Sequence, residues 1–470
     1  MIHYINRGYI LLLAVLLSAC KISKDITTPQ PDLPVSFRND TGNDSTGIGD
    51  MAWHDLITDA TLQQLIDTAL VKNYDLQIAA QHINAAQLVL KQSKWGYVPD
   101  VRLQVNAGST RPSDNSLNGL SASQFLGTTH IEDFTAGLNL SWEADIWGKV
   151  RNQKRSAFAA YQQTQEARKA LQTRIVASVS QGYYNLLMLD AQLEIARKNL
   201  ALNDSTLRII RLQYDAGQVT GLAVQQTEAQ QLVAAQLIPQ LEQNIVLQEN
   251  ALSVLAGKLP SATERGTTLD RAAIPGTFTA GVPSAMVGRR PDVRSAELAL
   301  TVANARVGIA KAGMYPALTI TASGGVNSFK ASNWFNIPAS LFGAVAGGVT
   351  EPLLMRRQLK TQYELAKTDR EKSVILFRQT VLTAVGEVSD ALVKLEKLND
   401  QQAIAIRRVN TLQQAIANAN LLFRSGMATY LEVITAQGNL LQSELELATI
   451  KRAQLSATVE LYRSLGGGWR

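Results

Sequence analysis

An internal repeat is the feature that most constrains how this 470-residue chain can fold. The stretch RLQYDAGQVTGL at 211–222 is echoed by NLLFRSGMATYL at 420–431, with Gly, Thr and Leu at the same places. Nearer the start of each half, residues 73–108 align with residues 290–325. Repeated segments of this length indicate one structural unit built twice.

Each copy is predicted to run helix, strand, loop, strand, long helix, turn, helix. The first copy covers 61–257 and the second 289–466, with a linker at 258–288 and a tail at 467–470. The offset between the copies falls from 217 to 209 between the two strands, so the first copy has the longer loop, within 109–133. Loops accept such insertions most easily.

Four segments are predicted to be strands. Val101, Leu103 and Val105 alternate with polar residues, and 138–142 and 318–323 show the same period of two. That pattern predicts a sheet with one apolar and one polar face, either half-buried or placed between lipid and water. The fourth segment, LFGAVAGGVT at about 341–350, is apolar on both faces, so its register stays open.

The helices are predicted from the spacing of their apolar residues and from the glycines at their ends. Residues 149–214 and 356–424 keep an alternating three and four spacing of apolar residues, which is typical of a coiled-coil seam. About 66 residues of helix span about 100 Å. Gly217 and Gly426 then reverse the chain, because glycine tolerates the left-handed conformation beyond a helix end. The first seam contains Leu186, Leu189, Leu193, Ala196, Leu200, Asn203, Leu207 and Ile210.

The shorter helices are predicted to cover the long ones. One runs over 61–95, and another returns over 221–256 and ends at Gly257. Their summed length matches that of the long helix. In the second copy the first helix, 289–313, begins at RRPD, where Pro291 suits the first turn and Asp292 meets the positive helix end.

The N-terminus predicts secretion and lipidation. A basic start with Arg7, a short apolar run and small residues are typical of a signal peptide, here 1–19. The apolar run is too short to span a bilayer. It ends in LSAC, which resembles the bacterial lipobox, so a covalent lipid is predicted on Cys20, the only cysteine. Residues 20–60, rich in Pro, Asp, Asn and Thr, are predicted to be a lipid-anchored tether.

Four strands cannot close a membrane barrel, since single-chain barrels start at about eight strands. An open sheet in lipid would leave edge groups unpaired. Several chains must therefore share one barrel. Two chains would give a barrel filled by side chains, and three would give twelve strands and a possible lumen.

These features resemble the TolC-like outer-membrane efflux family, in particular the NodT/OprM-like lipoproteins of tripartite RND efflux systems. The resemblance covers nearly the whole mature chain. It is carried by LSAC at 17–20, VGRRPDVRSAE at 287–297, the two turns, and the ending LYRSLGGGW at 461–469.

The resemblance implies a mainly α fold with a membrane β-barrel. A homotrimer would form a twelve-stranded barrel in the outer membrane, four strands per chain, continued by a long periplasmic α-helical barrel. It would pass small molecules and bind a periplasmic adaptor protein, which joins it to an inner-membrane RND-type transporter. The implied docking residues are Gly217, Thr220, Leu222, Gly426, Thr429 and Leu431.

The chain departs from the family pattern at two places. Where relatives carry an acid after the second turn glycine, this chain has Met427 and Ala428, so a constriction at the turns would have to use Asp215, Arg424 or another residue. Where glycines are common after the fourth strand, this chain has Arg356 and Arg357, so that corner is expected to be built differently.

Other functions fit the sequence less well. There is no HExxH, GxSxG, phosphate-binding loop or Cys/His cluster, so the chain is predicted not to be an enzyme and to need no cofactor beyond the lipid on Cys20. The net charge of +6 comes from scattered Lys and Arg, which argues against nucleic-acid binding. A type I protein-secretion channel and a structural coiled-coil surface lipoprotein remain as alternatives.

Overall fold

The computed structural model describes residues 48–274 and 288–469, together with Pro34 and Phe37. The signal peptide, Cys20, most of the tether and part of the linker at 258–288 lie outside the described residues. The fold is mainly helical, with one small antiparallel sheet. Within the described ranges, no helix is both long enough and apolar enough to cross a membrane.

Seven helices of more than ten residues and four strands form the described fold. The helices are α1 (Ala60–Lys72), α2 (Tyr74–Lys94), α3 (Lys149–Asp215), α4 (Gly221–Leu255), α5 (Pro291–Ala312), α6 (Gln358–Arg424) and α7 (Tyr430–Ser464). The strands are β1 (Asp100–Thr110), β2 (Ile131–Ala144), β3 (Ala317–Ser328) and β4 (Leu341–Thr350). Shorter helical segments lie at Ile48–Asp50, Trp53–Leu56, Trp95–Tyr97, Leu117–Ser121, Ala122–Leu126 and Ala331–Asn333.

The described residues divide into two compact units. One contains 84–162 and 298–375, and the other contains 48–83, 163–274, 288–297 and 376–469. The sheet belongs to the first unit. The largest hydrophobic core belongs to the second unit, where α3 contributes Val179, Tyr183 and Leu186, and α7 contributes Val459 and Leu461.

The predicted seam of α3 is confirmed. Leu186, Ala196, Asn203 and Ile210 are all 0% exposed, at the spacing read from the sequence. The seam includes a polar layer, in which the side-chain amide of Asn203 donates to Asn199 Oδ1 at 2.7 Å. A buried polar layer of this kind fixes the register in which helices pack.

The first predicted helix, 61–95, is two helices. Asn73 interrupts it with an extended backbone, ψ 129°. Its side chain accepts from the backbone N–H groups of Asp75 and Leu76, and donates to the carbonyl of Leu255 at 2.9 Å. Asn73 thus caps α2 while holding the C-terminal end of α4, which the helical periodicity alone did not reveal.

The second copy's first helix, predicted over 289–313, is observed at Pro291–Ala312, with Pro291 and Asp292 in its first turn as predicted. The preceding Arg290 is 4% exposed and donates to the carbonyl of Ser464 at 2.9 Å. Its guanidinium also pairs with Asp292 at 2.6 Å and Glu387 at 2.8 Å. The RRPD segment therefore works as a structural joint to the C-terminal end of α7.

Candidate functional site

The first predicted docking turn is a glycine-terminated helix end. Gly217 has φ 71°, and the backbone N–H of Gln218 donates to the carbonyl of Gln213 at 2.8 Å. This is the hydrogen bond that closes a Schellman turn. Thr220 then precedes α4 as its N-cap, without a capping hydrogen bond from its side chain.

The second turn has the same backbone and a stronger cap. Gly426 has φ 75°, and the N–H of Met427 donates to the carbonyl of Leu422 at 2.9 Å. Thr429 and Glu432 form a reciprocal capping box at the start of α7. The sequence carries the signal for this cap, Thr-x-x-Glu at 429–432.

Gly217 and Gly426 both have a positive φ, a backbone conformation that favours glycine over residues with a side chain. A Cβ built on Gly217 or Gly426 would meet nothing within 4 Å. The space around them is therefore open, and a left-handed φ is the constraint that a side chain would violate. Whether that open space admits another protein's helices stays a prediction.

The two turns lie beside each other. The hydroxyl of Tyr430, at the start of α7, donates to Gln226 Oε1 on α4 at 2.5 Å. Further along these helices, the Gln230 amide nitrogen lies 3.0 Å from the position that a Cβ on Gly438 would occupy. The structure therefore places the start of α7, which follows the second turn, beside the first turns of α4, which follows the first turn.

The surface of these turns is apolar and exposed. Leu222 and Leu431 are 57% and 52% exposed, and Met427 is 73% exposed. Several large apolar side chains clustered at one end of a helix pair indicate a surface that another protein covers. The remaining exposed apolar residues at the two turns are Leu212, Tyr214, Leu421 and Leu422.

Asp215 and Arg424 occupy equivalent places. Each is the last residue of a 67-residue helix, α3 or α6, and each is exposed. Arg424 suits the negative end of its helix, whereas Asp215 does not. That Asp215 and Arg424 narrow a channel at these turns stays a prediction.

The sheet has the order β1-β2-β3-β4, with one apolar face. Leu103 lies opposite Leu138, and Trp142 lies opposite Ile320. Directly paired residues point to the same side of a sheet, so these side chains form one continuous apolar surface. Leu103 and Val345 on this surface are 72% and 81% exposed.

The register of β4, left open by the sequence, follows from its pairing with β3. Val345 lies opposite Ala322, and Val349 lies opposite Leu318, which places both valines on the apolar face. Phe342, Ala344, Ala346 and Gly348 consequently fall on the polar face, beside Ser323 and Thr321.

Aromatic side chains flank the sheet at both ends. At one end Trp147 stacks on Tyr315 with ring centroids 5.0 Å apart. At the other end Phe134 lies 5.5 Å from Trp334, which in turn lies 5.1 Å from Phe335. Aromatic rings at both margins of an apolar band are typical of strands that cross a membrane.

Comparison with known proteins adds the decisive observation. The model of the family described as outer membrane efflux protein matches residues 65–258 and 282–467. The chain belongs to the outer membrane efflux protein family. The predicted resemblance is thereby confirmed.

Individual members of this family align with nearly the whole chain. The cation efflux system protein CusC of Escherichia coli O6:H1 is 28% identical over 464 residues, covering 97% of each protein. The pyoverdine export outer membrane protein OpmQ of Pseudomonas putida is 28% identical over 458 residues, covering 94% of this chain and 95% of OpmQ.

A solved structure supports the coarser part of the predicted fold, which is mainly helical with one small antiparallel sheet. The open state of the Neisseria gonorrhoeae MtrE outer membrane channel matches with a TM-score of 0.85 and 24% identity, covering 96% of this chain and 99% of that one. As an outer membrane efflux protein, the chain has efflux proteins rather than enzymes as relatives. Among the described residues, no group of three His, Cys, Asp or Glu side chains is placed to hold a metal ion.

Close packing explains the glycines of the C-terminal LGGGW motif. A Cβ on Gly467 would lie 2.2 Å from the ring of Tyr462, and one on Gly466 would lie 3.2 Å from the backbone nitrogen of Arg290. The glycines let the chain end pack closely against the RRPD joint. Both motifs of this outer membrane efflux protein therefore pack against each other and hold the end of α7 to the start of α5.

Proposed function

We propose that this chain is the outer-membrane exit channel of a tripartite efflux pump, passing small molecules across the periplasm and the outer membrane. One observation carries the proposal: a four-stranded sheet with a continuous exposed apolar face and an edge strand on each side, β1 and β4. Lipid accepts the apolar face, but hydrocarbon does not accept open strand edges. Other copies of the chain must therefore complete the sheet.

The assembly we propose is a homotrimer with a twelve-stranded barrel and a periplasmic α-helical barrel. Two copies would supply eight strands, whose interior side chains fill the space. The polar side chains of Gln104, Asn139 and Thr321 are exposed on one face of the sheet, which suits a water-filled lumen. Twelve strands provide such a lumen.

The partners proposed are a periplasmic adaptor protein and, through it, an inner-membrane RND-type transporter. The adaptor would dock on the turns at Gly217, Thr220 and Leu222 and at Gly426, Thr429 and Leu431. Support comes from the exposed apolar surface of these turns and from their adjacency. Asp215 and Arg424 would narrow the channel beside the dock.

Outer-membrane localisation agrees with family membership, and lipid anchoring through Cys20 is an added proposal. Palmitate labelling of cells tests the anchor. The Cys20→Ser protein should lose the label while the trimer persists, because the barrel itself holds the membrane. Label that persists on this variant would contradict the assignment.

A type I protein-secretion channel remains the second candidate. The names of the relatives, cation efflux and pyoverdine export, favour small solutes over proteins. A coiled-coil surface lipoprotein would not need a sheet with one apolar face.

Paired arginine substitutions test the membrane sheet. Leu103→Arg should impair membrane insertion at a cost of about 2–4 kcal/mol, because it places a charge in lipid. Gln104→Arg, one residue away on the polar face, should insert normally and shift ion selectivity of the purified protein in a planar bilayer. Equal tolerance of both changes would indicate a sheet that does not face lipid.

A further inference from the structure

The fourth strand is apolar on both faces, and a lipid-facing strand needs only one. On the polar face of the sheet β4 presents Phe342, Ala344, Ala346 and Gly348. The neighbouring strands present polar side chains on that face. The proposed lumen would thus contain one apolar stripe per chain, which the function of an unselective aqueous pore does not explain.

Phe342 heads this stripe and lies across the sheet. It is paired with Gly325, which is paired with Gly137, so the three residues form one row over three strands. The ring atom Cζ of Phe342 lies 3.2 Å from the position that a Cβ on Gly137 would occupy. Gly137 therefore makes room for the ring, which is 38% exposed.

A cavity of about 530 Å³ opens in the adjacent rows of the same face. Ala344 and Ala346 of the stripe line it, with hydrogen-bonding groups from Gln104, Asn139, Thr321 and Ser323. Asn139 donates to Gln104 Oε1 at 3.0 Å. Asp100, the one carboxylate among the described residues that line the cavity, is paired with Arg102 at 2.6 Å.

We propose that Phe342 and the β4 stripe form a binding site for planar aromatic organic cargo, an inference that rests on the channel function proposed above. A partly exposed aromatic ring that lies over Gly137 can stack on another flat ring system, and the small apolar residues beside it accept the edge of that ring system. The neighbouring amides and hydroxyls bond polar substituents. A bare metal cation finds no free carboxylate ligand among these lining residues.

Single-channel recording of the full-length protein in a planar lipid bilayer tests the site. The probe is 9-aminoacridine, a planar aromatic cation, and the control probe is cyclohexylammonium, which has the same charge and no aromatic plane. We expect 9-aminoacridine alone to cause resolved current blockades. Phe342→Leu should shorten the blockade dwell time by about fivefold, the size expected for loss of one aromatic pair.

Matched variants separate the ring from other effects. Phe342→Tyr keeps the ring and should keep the dwell time. Val345→Ala, on the apolar face of the same strand, should change nothing. Phe342→Trp enlarges the aromatic face and should lengthen the dwell time, and it decides the matter if Phe342→Leu fails to insert.

The outcomes distinguish the two proposals. Wild-type protein without any ion conductance would overturn the proposed channel function. Normal conductance with equal dwell times in the wild-type, Leu and Trp proteins would overturn the aromatic site alone. Equal blockade by cyclohexylammonium would also overturn it, because charge would then suffice.

Discussion

Arg357 and Gly148 have the same left-handed backbone conformation, with φ of 61° and 73°. Each residue directly precedes a 67-residue helix, α6 or α3, at the corner that follows a strand. The chain thus keeps a glycine-like corner at Arg357 without a glycine. The neighbouring Arg356 is also left-handed, with φ 48°.

Glycine at position 357 should therefore relieve strain. A residue with a Cβ in this conformation costs roughly 1–2 kcal/mol, part of which glycine returns through the greater freedom of its unfolded chain. We expect Arg357→Gly to raise the apparent melting temperature of the purified protein, and Arg357→Ala to give no such gain. Equal shifts in both variants would point to the side chain rather than the backbone.

The turn glycines allow conformation and close approach to be separated. Asn enters the left-handed region more easily than other residues with a side chain, whereas Val does not. Gly426→Val and Gly217→Val should leave a heat-resistant trimer but abolish efflux and adaptor cross-linking.

Gly426→Asn is the informative partner of these variants. If the glycine serves only the backbone, Asn should restore efflux and cross-linking. If the adaptor needs the open space, Asn should block both while the trimer forms normally. Trimer amount, antibiotic susceptibility and cross-linking are measured in one strain, and a parallel fall in all three would mean that the turn is only structural.

Alkaline pH should weaken the second unit through Tyr183. Burial raises the pKa of Tyr183 to about 12, and its hydrogen bond to Asp59 also raises the pKa. The protonated hydroxyl donates to Asp59 Oδ2 and accepts from the N–H of Gly266, both at 2.9 Å.

A raised pKa favours the protonated folded state. The contribution of Tyr183 to stability is therefore full below pH 10 and is lost as the pH rises from about 10 to 12. Tyr183→Phe should cost about 0.5–1.5 kcal/mol at neutral pH, because Asp59 and the N–H of Gly266 each lose a hydrogen-bond partner. Melting curves from pH 9 to 12 should show a smaller decline for this variant than for the wild-type protein.

Replacing Arg290, even by lysine, should lower the free energy of unfolding. Burial lowers the pKa of Arg290, but its hydrogen bond and charge interaction with Asp292 outweigh that effect, and the pKa lies above the usual value. Arg290→Lys keeps the charge but cannot reproduce the contacts to Asp292, Glu387 and Ser464. Arg290→Lys should cost about 1.5–3 kcal/mol, the size expected for loss of a hydrogen bond made by a charged group.

An exposed arginine provides the comparison. Arg294, which pairs with Glu297 on α5, should lose less than about 1 kcal/mol on replacement by Lys. Chemical denaturation of both variants measures the difference. Similar small losses in the two would show that the joint between RRPD and the end of α7 contributes little.

Elements with a local period were predicted closely from the sequence. The predicted helix 149–214 is observed as Lys149–Asp215, and the fourth strand is observed at the predicted residues. Helix α6 begins at Gln358, two residues later than predicted. The left-handed Arg356 and Arg357 precede it, and arginine in a sequence does not indicate that conformation.

Features that depend on a distant partner were not readable. Asn73 breaks the first helix because its amide reaches Leu255, 182 residues away. The position of Phe342 required the pairing of β4 with β3, because both faces of β4 look alike in sequence. The docking residues came from the resemblance, and the contact of Tyr430 with Gln226 came from the structure alone.

The two open edges of the sheet have a genetic consequence. In the proposed trimer each chain shares one junction at β1 and another at β4 with its neighbours. A subunit whose β1 or β4 cannot pair would therefore prevent barrel closure even when the other subunits are normal. In a cell that carries both alleles, an edge lesion should be dominant, whereas a lesion that prevents synthesis of the chain should be recessive.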